Sequence, residues 1–154
     1  MPEIRGCQFP DELFYDEDCN LWFEPLADGE HKIGITQYGA ALVGDIYMFN
    51  PKRVGRLVEI EEAFALIEVA KTILPMRVPL ELTVTAINEE VQEKPFLINT
   101  EAYKSWLIKA KFTDSTLAAS IMFSGQALLE NANSAMDLNR FNSLEEFASE
   151  RSRS

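Results

Sequence analysis

Two strand-like runs meet at a lysine, and that junction constrains this chain more than any other feature. Residues 62–75 form an apolar stretch, Phe64-Ala65-Leu66-Ile67-Glu68-Val69-Ala70, that ends in Lys71 and a turn, and a second run over 75–87 follows at once. In the second run Val78, Leu80, Leu82, Val84 and Ala86 share one face, while Arg77, Glu81, Thr83 and Thr85 largely share the other. Such alternation marks a half-buried antiparallel strand. Paired as a hairpin, the two runs put Lys71 at the tip with its amine in water. A tip lysine between stiff strands suits the attachment of a swinging prosthetic arm.

The remaining chain extends the β pattern. Residues 21–26 read as a short strand, 27–30 as an Asp-Gly turn and 31–36 as the returning strand, with Ile33 and Ile35 on one face. A short helical segment over 37–43 closes at Gly44, and residues 45–49 form another strand. Residues 88–95 are a polar connection, 96–99 a short ordered piece and 106–112 the last strand. Asp114 and Ser115 offer N-cap chemistry to an amphipathic helix over 116–130, with Leu117, Ile121, Leu128 and Leu129 on or near its apolar stripe. The expected organisation is an N-terminal segment over 1–20, a carrier domain over 21–130 and a polar, mobile tail over 131–154 with one short helix at 143–150. Many short strands and one clear helix point to a mainly β sandwich or flattened barrel.

Charge and motifs exclude several functions. A formal charge of −11 repels nucleic-acid phosphates and favours docking on more basic protein partners. Among 154 residues there is one histidine, His31, so most general acid–base pairs and catalytic triads are ruled out. No Gly-rich phosphate loop or metal-ligand cluster is present. His31, following a turn, is expected to be solvated or packed. Cys7 and Cys19 lack the partners for a tetrahedral zinc site and are expected as reduced, packed thiols. No apolar run is long enough to span a bilayer and residues 1–5 lack signal-peptide character, so the expected location is cytoplasmic, without membrane insertion.

From Trp22 to about Asp114 the residues resemble, in order, the H protein family of the glycine cleavage system. The stretch 29–46, with Ile33-Gly34-Ile35-Thr36-Gln37-Tyr38 and Val43-Gly44-Asp45, is similar to that family's Val-Gly-Ile-Thr-x-Tyr-Ala and Leu-Gly-Asp blocks. Val54-Gly55-Arg56-Leu57-Val58-Glu59, Glu62-Ala63-Phe64 and Glu68-Val69-Ala70-Lys71 follow, the last standing where the family has Glu-Ser-Val-Lys. Asn88-Glu89-Glu90-Val91, Pro95-Phe96-Leu97-Ile98-Asn99, Tyr103 and Trp106-Leu107-Ile108-Lys109 continue the register.

The resemblance implies a barrel-sandwich hybrid, lipoyl-domain-like, with a lysine-bearing hairpin and a C-terminal helix. It implies lipoate attached covalently to Lys71, no catalytic residues of the chain's own, and lipoate-attaching enzymes as partners that recognise Glu68. Departures bear on the cargo. Thr72-Ile73-Leu74-Pro75 replaces the usual Ala-Ala-Ser-Asp turn, and Pro79-Leu80-Glu81-Leu82 lacks the family's glycine. Gly6-Cys7, Pro10, Leu13 and Tyr15-Asp16 resemble the lipoate-binding proteins of the sulfur-oxidising heterodisulfide-reductase-like pathway. The expectation is therefore a lipoyl carrier of sulfur-bearing intermediates for a heterodisulfide-reductase-like complex. Its alternatives are an aminomethyl carrier serving the glycine cleavage enzymes and a non-lipoylated scaffold or lipoyl-relay protein.

Overall fold

A computed structural model describes residues 3–152. The chain forms a six-stranded sheet, a three-stranded sheet and a two-stranded ribbon, with short helices between and after them. The ribbon pairs β1 (Glu3–Ile4) with β2 (Cys7–Gln8). The large sheet runs β3 (Phe14–Tyr15), β4 (Leu21–Pro25), β5 (Glu30–Ile35), β11 (Ile108–Phe112), β10 (Leu82–Ile87) and β7 (Leu57–Val58). The small sheet runs β6 (Met48–Pro51), β8 (Ala65–Glu68) and β9 (Ile73–Met76), all antiparallel. Phe23, Ile33, Val84 and Ala110 from the large sheet and Phe49, Ala65 and Ile67 from the small one belong to a single buried cluster. The two sheets thus share one core, as a barrel-sandwich hybrid requires, without forming a closed barrel.

Several of the residues quoted for the family resemblance have direct structural reasons. Gly34 faces Trp22 across the β4–β5 pair, and a β-carbon there would stand 2.2 Å from the indole. Thr36 caps helix α1 (Gln37–Val43): its Oγ1 accepts from the Gly39 amide at 2.9 Å and donates to the Cys19 carbonyl at 2.5 Å. Asn99 accepts from the Ile46 amide and donates to the Gly44 carbonyl, pinning the chain that leaves α1. It lies in α3 (Leu97–Thr100), which follows α2 (Glu89–Glu93); these short helices occupy the expected polar connection and ordered piece.

Two expected elements are divided. The run expected as one strand over 76–87 splits between sheets, with β9 ending at Met76 and β10 starting at Leu82. Pro79 lies in the break, where its missing N–H costs no ladder bond. Pro75 is tolerated within β9 because that strand is the edge of its sheet. The helix expected over 116–130 is likewise two: α4 (Ser115–Ser120), capped by Asp114 as expected, and α5 (Gly125–Leu138). Between them Phe123 bridges Tyr15 in antiparallel fashion, its amide donating at 2.7 Å and its carbonyl accepting at 3.0 Å. That pairing takes the backbone bonds a continuous helix would use. Leu117, expected on the apolar stripe, is exposed, and Ala118 is the buried residue of α4.

Within residues 131–152, α5 continues and α6 (Leu144–Ser152) follows. Leu128, Ala132 and Met136, four residues apart, lie buried on one face of α5. With Phe141 they share a second cluster with Ile4, Cys7, Phe9 and Tyr15 of the N-terminal segment. The mobility expected of residues 153 and 154 lies outside the described residues.

Candidate functional site

Lys71 stands in the turn of the β8–β9 hairpin. Register pairs Glu68 with Ile73 and Ile67 with Leu74, and the Val69 amide donates to the Thr72 carbonyl at 3.0 Å to close the turn. Ala65 and Ile67 are buried in the shared core, and Phe64 donates to the Met76 carbonyl at 2.9 Å at the hairpin's base. Ala70, Lys71 and Thr72 are exposed. The hairpin therefore holds a solvent-facing lysine on a base fixed by packing and by paired backbone.

Glu68 is half-buried three residues before the lysine, in register with Met48 on one side and Ile73 on the other. The Tyr47 amide donates to its carbonyl at 2.8 Å. On the same outward face Met48, Leu66 and Ile73 are exposed, so the Glu68 carboxylate is set among apolar side chains beside the tip. Side chains alternate between sheet faces, which puts Phe49, Ile67 and Leu74 on the opposite, core side.

A groove of about 750 Å³ opens at the turn. Val69, Ala70, Lys71 and Thr72 line one side of it. Ala40, Ala41 and Val43 of α1 line another, and Leu144, Phe147 and Ala148 of α6 a third. Among the described residues, Asp45 is the only carboxylate of the lining and Lys71 the only cation. The groove is thus a mostly apolar trough that starts at the lysine itself. An attached group with an aliphatic chain and a neutral, apolar end fits this lining, because contact there removes apolar surface from water.

The cysteines and the histidine lie elsewhere. Cys7 and Cys19 are free, fully buried and absent from the groove lining. Burial, with Glu3 adding to it, pushes the Cys7 thiol up to about 12, and burial with Asp16 and Asp18 does the same at Cys19. Protonated, packed thiols are poor nucleophiles. His31 is half-buried on β5 with its ring edge-on to Phe112 at 5.3 Å, and burial lowers its pKa. Among the described residues no group of three or more His, Cys, Asp or Glu could hold a metal ion, and no helix is long and apolar enough to cross a membrane.

Sequence reasoning named Lys71, which lines the groove, and Glu68, which does not, and it missed the α6 wall and the part of Tyr47 and Asn99 in the groove lining. No motif marks Leu144, Phe147 or Ala148. Their placement depends on long-range anchors: the Leu144 amide donates to the Arg5 carbonyl at 2.8 Å, and Arg5 Nη1 donates to the Phe141 carbonyl at 2.7 Å.

Comparison with known proteins gives a consistent picture. The profile of the family described as glycine cleavage H-protein matches residues 13–134, which leaves β1, β2 and α6 outside the match. The chain is 32% identical over 127 residues to "Glycine cleavage system H protein 5" of Aquifex aeolicus, covering 79% of this chain and 85% of that one. It is 36% identical over 116 residues to "Probable glycine cleavage system H protein 3" of Sulfolobus acidocaldarius, covering 75% and 80%. In fold it is similar to the crystal structure of a glycine cleavage system H protein from Mycobacterium marinum. The TM-score is 0.66 at 23% identity, with 82% of this chain and 98% of the other covered.

Proposed function

The chain belongs to the glycine cleavage H-protein family, and from that membership we propose that Lys71 is the lysine that carries its covalent lipoyl group. Members of this family are carriers that hold lipoate on a lysine and have no catalytic site of their own. One observation supports the assignment to Lys71 above others: this lysine is exposed at the tip of a hairpin whose base is packed in the core.

Attached as an amide, lipoate supplies a dithiolane that can be reduced and can bear a transferred group. The chain's own residues present it. The β8–β9 turn keeps the Lys71 amine in water, where an attaching enzyme reaches it. Glu68 gives that enzyme a charged feature at a fixed offset from the amine, set against Met48 and Ile73. The formal charge of −11 favours encounter with basic partner surfaces, and tethering raises the local concentration of the carried group at each partner's active site.

The cargo this family membership supports is the aminomethyl group, with the glycine cleavage enzymes as partners. The resemblance of Gly6, Cys7 and Pro10 to sulfur-pathway carriers, together with the apolar Thr72-Ile73-Leu74-Pro75 segment that follows the lysine, favours a second reading. In it the carrier serves a heterodisulfide-reductase-like complex and its arm bears sulfur. The deciding experiment offers the lipoylated chain to glycine decarboxylase with labelled glycine. Transfer of label to the chain supports the aminomethyl reading. A lipoylated chain that stays unlabelled overturns it in favour of the second.

A further inference from the structure

The outer face of the large sheet carries a strip of lysines in a chain whose formal charge is −11. Ile33 of β5 and Ile108 and Ala110 of β11 belong to the shared core, so the alternating positions Lys32, Lys109 and Lys111 point outward. Lys32 and Lys109 stand directly opposite each other in the β5–β11 register, an arrangement of like charges that destabilises a sheet. Their ammonium groups share one ring: Lys109 Nζ lies 5.3 Å and Lys32 Nζ 6.0 Å from the Trp106 centroid. Compensation by carboxylates is thin. Glu24 meets Lys32 at 3.7 Å, and Glu30, opposite Lys111, accepts from Thr85 Oγ1. Among the described residues neither Lys109 nor Lys111 has an ion pair.

We propose that this strip docks an extended, acidic segment of a partner protein. Spacing argues for that occupant. Lys109 and Lys111 are two residues apart on one strand, which separates them by about 7 Å, and same-face side chains of any extended peptide repeat at the same distance. A segment with carboxylates at alternate positions therefore sets one against each lysine. Lys32, beside Lys109, lets one of those carboxylates meet two cations and relieves the repulsion between them. Charge complementarity argues for it as well, because the acidic remainder of the chain repels such a segment and so directs it to a local cationic strip. The site is rigid and separate from Lys71. β5 and β11 are the third and fourth of six strands, and their lysines are absent from the groove lining. They face away from the core that the two sheets share, so a partner held here leaves the β8–β9 turn uncovered. Held at one face, the chain keeps its Lys71 side free and at high local concentration.

The test titrates the unmodified full chain with a synthetic peptide of alternating Glu and Ser, read by backbone amide and indole NMR at neutral pH. Shift changes centred on Lys32, Trp106, Lys109 and Lys111, with the Val69 to Thr72 amides unmoved, are the expected result. Lys109→Gln should weaken binding about two- to five-fold, the range for an exposed charge pair, while Lys109→Arg keeps it. Lys111→Gln, at an exposed position, should weaken binding in the same direction and serves where Lys109→Gln lowers the Tm. A peptide of the same composition with its glutamates in one block should bind more weakly, and added salt should weaken both. An unmoved strip, equal binding by the two peptides, or unchanged binding by both glutamine variants would overturn the proposal. Concentration-dependent broadening of the strip without peptide would assign the face to a second copy of the chain and overturn the stated partner. No step here involves lipoate, so failure of the proposal leaves the assignment to Lys71 untouched.

Discussion

The Trp22 indole fills the space that any side chain at position 34 would need: a β-carbon on Gly34 would stand 2.2 Å from Cε2 and 2.4 Å from Nε1. The indole has little freedom to yield. It is buried, and its Nε1 donates to the Ala102 carbonyl at 3.1 Å. Gly34→Ala therefore forces the β4–β5 pair apart or drives the ring off its partner. Overpacking of this kind costs about 1–3 kcal/mol, and thermal denaturation should show a lowered Tm. An unchanged Tm would contradict the packing described.

Cys7 and Cys19 should be silent to thiol reagents in the folded protein. Both are fully buried, and burial is the main cause that pushes each thiol up to about 12, so almost no thiolate exists at neutral pH. A colorimetric disulfide reagent is expected to titrate neither cysteine natively and both in guanidinium. Rapid native labelling of either would show that the N-terminal segment is not packed as described.

Asp16 should leave a signature in the pH dependence of stability. Burial, with Asp18 adding to it, raises its carboxyl from an ordinary 3.8 to about 6, against the opposing hydrogen bond from the Leu21 amide. The folded state thus holds this proton more tightly than the unfolded state does. The resulting stabilisation is present below about 4 and is lost as pH rises through about 6. Asp16→Asn keeps an acceptor for Leu21 and removes the titration. The Tm of the wild-type chain should fall relative to that of the variant between pH 4 and 6. Parallel curves across that window would refute the assignment.

Alternation and register made most of the site legible. The run before Lys71 is strand β8 of the hairpin, its partner β9 falls mostly in residues expected as the turn, and the small-residue requirement at Gly34 and the cap at Thr36 sit in the motif that carried the family resemblance. What was not legible depended on distant partners. Nothing local shows that residues 76–87 divide between two sheets, because Met76 pairs with Ala65 while Leu82 pairs with Phe112 and Val58. Phe123 leaves a helical pattern because Tyr15, far away in sequence, takes its backbone bonds. The groove wall at Phe147 exists because Arg5 holds the chain at Phe141 and Leu144.

Glu68→Gln is expected to slow lipoylation without unfolding the protein. The carboxylate is half-buried on the outward sheet face, and substitutions at such positions usually change stability by about 0.5 kcal/mol or less. Initial rates with a lipoate-attaching enzyme should drop while Tm holds. Equal rates for the two chains would remove Glu68 from recognition.

The most direct measurement of the central claim is the intact mass of the wild-type and Lys71→Arg chains after incubation with a lipoate-attaching enzyme and its substrates. The exposed turn makes the substitution structurally mild, so both chains should share a Tm, and a guanidinium does not form the lipoyl amide. A lipoyl increment on the wild-type chain and none on Lys71→Arg is the predicted result. An increment of the same size on both chains would place the group on another lysine and contradict the account.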